Sequence, residues 1–136
     1  MSDETAALAR HRVARARESL EDARVLASAE RWGACIGRLY YACFHAVSAL
    51  LVARGLSTSK HSGARSLFNR HFVKSGIIAK EKASVYNDLF LRRQEADYLD
   101  YALFDEGRVR PWIPAASDFV EAVASVLEDE LAQTDR

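Results

Sequence analysis

What most constrains this chain is the helical spacing of its apolar residues, which recur three and four positions apart almost from end to end with little to interrupt them. There are six Gly and two Pro in 136 residues. No segment shows the two-residue alternation between turn residues that marks a half-buried strand. The chain is read as all-α, and breakers this scarce imply long helices. The first helix is placed at 5–29, where Leu8, Val13, Ala16, Leu20, Ala23 and Ala27 form a stripe of mainly small residues beside Arg10, Arg12, Arg15, Arg17 and Arg24. The second spans 31–54 and stops at Gly55, a residue suited to the left-handed position after a helix. A short third helix covers 61–71, anchored by Leu67 and Phe68, and Lys74-Ser75-Gly76 makes a turn after it.

A fourth helix follows at 79–103 with Val85, Leu89, Ala96, Leu99 and Leu103 facing inward. A loop opening at Asp105-Glu106-Gly107 carries Pro111, Trp112 and Pro114. The fifth helix is read over 114–132, with Pro114 in its first turn and Phe119, Val123, Val126, Leu127 and Leu131 inside. Four long helices and one short one, joined by short connections, imply an up-down bundle, with residues 1–136 forming one domain.

Charge removes several function classes. Nineteen basic and nineteen acidic residues give a formal net charge of zero, so any nucleic-acid contact has to come from a local patch. The five Arg of 10–24 read as solvated helix surface, with an RNA-backbone contact or a dock for an acidic partner as the other reading. The opening MSDETAALARHRVARARE has no apolar core of a signal peptide, and no apolar stretch is read as a membrane span, so a cytoplasmic protein is expected. Cys35 and Cys43 lie eight apart on one helix, roughly 12 Å along its axis and too far to bond each other. His11, His45, His61 and His71 fall into no metal-ligand spacing with these cysteines. No Gly-rich phosphate loop, Ser-His-Asp set or carboxylate pair stands out, so neither metal nor cofactor is expected.

The stretch IGRLYYACFHAV, residues 36–47, carries the chemistry. At about 100° per residue, Arg38 and His45 share one face, about 20° apart and roughly 10 Å along the helix. Ile36, Leu39, Tyr40, Cys43, Phe44, Val47, Leu50 and Leu51 make the bulky side that faces the core. The Arg/His side holds Ala34, Cys35, Tyr41, Ala42, Ser48 and Ala49, small residues that admit a second backbone. If that backbone belongs to a second copy about a twofold axis, two sets of Arg38, Tyr41 and His45 line one seam. A His titrating near neutrality can move a proton and an Arg can hold a phosphate, which suffices for RNA cleavage because the 2′-hydroxyl is the nucleophile. The other reading is structural, with Arg38 salt-bridged to a neighbouring helix and His45 a satisfied contact residue.

Other candidates lie outside that helix. Lys60 and His61 precede the short helix, where they either contact a phosphate or serve as loop and cap residues. Arg93 and Asp97, four apart, form an intrahelical pair that can also orient a site residue. Tyr98 and Tyr101 can present hydroxyls to the surface or the seam.

RLYYACFHAVSALL at 38–51, KHSGARSLFNRHFVKSG at 60–76 and RQEADYLDY at 93–101 together resemble the HEPN superfamily, whose motif is Arg, four to six residues, then His. The resemblance is to its small stand-alone members, often encoded beside minimal nucleotidyltransferases. It implies a homodimer in which Arg38 and His45 of both copies line a cleft, and a metal-independent endoribonuclease of toxin type. The alternative it also carries is a non-catalytic module binding nucleotide, RNA or a nucleotidyltransferase partner, since the His is replaced in some relatives. Two positions depart from the toxin pattern. Leu39 stands where a polar residue follows the motif Arg, and Val47 where a Tyr accepts modification by the partner enzyme.

Overall fold

A computed structural model describes residues 2–98 and 104–134. Among the described residues, six α-helices and one π-helical turn follow one another: α1 Asp3–Ser28, α2 Trp32–Ala53, α3 His61–Phe68, a π turn Asn69–Val73, α4 Lys80–Tyr98, α5 Glu106–Val109 and α6 Trp112–Thr134. The all-α bundle expected from the spacing is what forms.

α1 begins two residues earlier than its apolar stripe indicates. Ser2 caps it, its Oγ accepting the Thr5 N–H at 3.0 Å, and Asp3 and Glu4 meet the positive end of the helix dipole. It ends with Glu30 in the left-handed region at φ 59°. The Arg31 N–H then returns to the Leu26 carbonyl at 2.8 Å, closing a Schellman turn. α2 ends in the same way with the expected Gly55, at φ 71°, and the Leu56 N–H on the Leu51 carbonyl at 2.8 Å.

Beyond α3 the chain departs from a simple short helix. The Lys74 N–H reaches the Asn69 carbonyl at 2.8 Å, the five-residue step of a π turn. α5 is a single turn in what reads from sequence as loop. Its cap is Asp105, whose Oδ1 accepts the Arg108 N–H at 2.9 Å. α4 buries Ala83, Tyr86, Leu89 and Phe90, with Val85 and Ala96 only partly covered. Leu99, Leu103 and Tyr101, assigned to this helix from sequence, lie outside the described residues.

α2 is the central element and packs on α1, α3, α4, α5 and α6. Its apolar composition and length are those of a membrane-crossing helix, yet most of it is buried within the bundle. Tyr40, Tyr86, Phe68 and Phe119 are fully buried and meet ring to ring, with Tyr86 stacked on Tyr40 at 6.2 Å and on Phe119 at 5.9 Å. Geometries of this kind add to the burial of large rings.

The small-residue side of α2 is covered from within the chain. Cys35, Ala42, Ala46 and Ala49 are fully buried, and α1, with Ala9, Ala16 and Ala23 also fully buried, makes the most extensive helix contact in the molecule. Small side chains on both helices allow the close approach, so the backbone that the sequence pattern calls for is α1, and this face does not itself require a second copy.

Candidate functional site

Arg38, Tyr41 and His45 lie at the edge of the α1–α2 seam, each half-buried. They line one open cleft of about 640 Å³ whose α1 wall carries Arg15, Arg17, Glu18, Glu21 and Asp22. Arg38 forms no salt bridge with any described residue. Its guanidinium lies 4.9 Å from the centre of the Tyr41 ring, and the His45 ring centre is 6.1 Å from that ring. The structural reading of Arg38 as an interhelical salt bridge is therefore not what the geometry shows.

Tyr41 joins this group to α4. The Arg93 guanidinium donates to the Tyr41 hydroxyl at 3.2 Å, sits 5.3 Å from both the Tyr40 and Tyr41 ring centres, and is held by Asp97 at 3.0 Å. The intrahelical Arg93–Asp97 pair forms as its spacing predicts, and it also clamps a cleft residue. His61, the first residue of α3, does not cap the helix. It stacks on Phe44 at 4.2 Å and its Nδ1 lies 2.7 Å from the Tyr40 hydroxyl. Burial raises the Tyr40 hydroxyl well above its ordinary value, while burial and then Arg93 lower His61. Both groups are therefore neutral at pH 7, and the tautomer of the His61 ring sets which of the two donates.

His45 differs from the near-neutral titration anticipated for it. Burial first, and then the positive charges of Arg15, Arg38, Arg12 and His61, push it down to about 4. At pH 7 the site therefore presents a neutral imidazole. A phosphate placed among these cations cancels part of their field and raises the same group toward the range in which it can return a proton.

Two of the candidates from sequence are not brought in. Lys60 is exposed and its described hydrogen bonds are those of its backbone, the N–H to Thr58 Oγ1 at 3.2 Å and the carbonyl from the Ala64 N–H at 3.0 Å. Tyr98 is 75% exposed at the last residue of α4. Conversely, α1 supplies residues that the sequence reading left on a solvated surface. Arg12 donates to Ser48 Oγ at 2.7 Å, and Arg15 lines the cleft with His45. The signal for them is their spacing of three on α1, legible only once α1 and α2 are known to run antiparallel. Among the described residues no cluster of three His, Cys, Asp or Glu side chains is placed to hold a metal ion.

Leu39 and Val47, the two departures from the toxin pattern, are fully buried. Neither position can offer a polar or modifiable group to the cleft.

Comparison with known proteins places this geometry in context. The family model described as HEPN domain matches residues 9–127. A "UPF0332 protein" of Thermotoga maritima is 47% identical over 115 residues, covering 85% of this chain and 87% of that one. Two Methanocaldococcus jannaschii proteins bear the name "Putative toxin". One is 33% identical over 86 residues, covering 63% of this chain and 58% of its own. The other is 29% identical over 116 residues, covering 85% and 86%.

Proposed function

Since the chain belongs to the HEPN domain family, we propose that it is a toxin-type endoribonuclease whose cleft residues are Arg38 and His45. The observation that carries this reading is the pairing, in one open cleft, of a neutral imidazole with guanidinium groups not committed to carboxylates. Neutral His45 takes the proton of an RNA 2′-hydroxyl, and the oxygen attacks the adjacent phosphorus. Arg38 balances the charge that builds on the non-bridging oxygens. The 5′-oxygen leaves with a proton from an imidazolium, which gives a 2′,3′-cyclic phosphate and a free 5′-hydroxyl. In a homodimer that apposes two such clefts, one His45 acts as base and the other as acid. The nucleophile resides in the substrate, so the steps assigned to the protein need only proton transfer and charge stabilisation.

Tyr41 is a substrate-facing residue in this proposal, and Arg93 with Asp97 position it. His61 stacks on Phe44 and is given a supporting place, and Lys60, which lies outside the cleft, is given none. RNA incubated with the purified protein in excess chelator should be cut. His45→Ala should lower the rate by at least about 100-fold, the scale of a positioned acid–base group, with the secondary structure unchanged. Intact RNA after prolonged incubation with the wild type rejects the enzymatic reading.

The buried Leu39 and Val47 favour one second reading, a module that uses the same cleft to bind RNA, a nucleotide or a nucleotidyltransferase partner without cutting. Binding of RNA by the wild type with no cleavage selects it.

A further inference from the structure

His45 has a hollow on each side. Besides the Arg38 cleft, a second hollow of about 280 Å³ is lined by Arg12, Arg15, Phe44, His45, Ser48 and the 56–58 loop. Only Arg15 and His45 line both. The hydrogen bond from Arg12 to Ser48 fixes the antiparallel register of α1 on α2 here. Along the seam, Arg12 lies at Ser48, Arg15 at His45, and Glu18, Glu21 and Asp22 on the wall shared with Arg38.

The arginines of α1 divide by partner. Arg10 and Arg17 are taken by Glu128 and Glu121 of α6, Arg24 by Glu21, and Arg12 by Ser48. Arg15 is exposed and has neither a carboxylate nor a hydrogen-bond partner among the described residues. The Arg38 cleft shares its wall with Glu18, Glu21 and Asp22, whereas the hollow beyond His45 is lined by Arg12 and Arg15 and, among the described residues, by no carboxylate. The field therefore favours one path, across His45 and into the second hollow.

Resting on the RNA reading above, we propose that Arg15 is a second phosphate ligand and that the site takes a single strand with at least two consecutive phosphates, one on each side of His45. The phosphate beside Arg38 is the one cut, and its neighbour is held by Arg15 with Arg12. A shared guanidinium also explains why Arg15 depresses His45 more than Arg38 does.

The test uses the full chain at low salt and fluorescently labelled 2′-O-methyl di- and trinucleotides, which carry one and two phosphodiesters and cannot be cut. The trinucleotide should bind about tenfold tighter, the scale of one charge-assisted phosphate contact. Arg15→Gln should bring the two affinities together, and Arg15→Lys should restore part of the difference. Equal affinities in the wild type, or a difference that survives Arg15→Gln, overturns the proposal. RNA cleavage without the length preference defeats this inference alone. A length preference without cleavage leaves it standing and defeats the nuclease.

Discussion

A single imidazole carries most of what is testable at the scale of the residue. His45 sits at about 4 in the folded chain against 6.5 for an ordinary His. Between those values the unfolded chain holds a proton that the folded one does not. Stability is thus complete above about pH 6.5 and declines as the pH falls toward 4. His61 is lowered in the same sense. Urea midpoints at pH 7 and pH 4.5 should differ less in His45→Gln than in the wild type, and identical differences reject the assignment. Arg38 and His45 could be paired from sequence because an interval of seven returns to the same side of a helix. Arg15 could not, since its place opposite His45 depends on the α1–α2 register, nor could the hold of Arg93 on Tyr41, 52 residues away.

Among the elements, helix bodies follow from periodicity and the irregular pieces do not. α2 and α6 lie close to where their stripes put them, because a buried face repeating every three to four residues tolerates few alternatives. The π turn at Asn69–Val73 adds no new apolar pattern, and α5 is too short to have one. The end of α1 is legible only as a helix stop, since Glu30 is not a residue expected at a left-handed angle. That conformation costs a non-Gly residue roughly 1–2 kcal/mol, against about 0.5–1 kcal/mol for the extra chain entropy of Gly. Glu30→Gly should therefore stabilise the protein by about 0.5–1 kcal/mol, seen as a higher urea midpoint at unchanged slope. A lower midpoint means that the Glu30 side chain contributes more than its backbone costs.

For the whole molecule, α2 links every other helix to the core, and its fully buried Leu50 probes that role. Leu50→Ala should cost roughly 2–5 kcal/mol. If residues 1–136 form one domain, as we propose, the loss should appear in a single cooperative transition by both far-ultraviolet circular dichroism and aromatic fluorescence. Two separated transitions reject the single domain. The all-α class was evident from sequence because it depends on composition and spacing alone. Which helix covers the small-residue side of α2 was not, because Ala, Cys and Ser invite any close backbone. Here α1 is tethered to it by a turn of three residues and arrives first.

That short tether has a consequence in time. Arg12, Arg15, Arg38, Tyr41, His45 and Ser48 all belong to one helical hairpin, so their meeting closes only a small loop and suits fast, early folding. During synthesis at about 5–20 residues per second, the hairpin is made before α4 exists. The cleft residues thus need no element beyond the hairpin to meet, whereas the hold on Tyr41 waits for Arg93 of α4. A chain that ends before α4 has every cleft residue and lacks the contact that holds Tyr41.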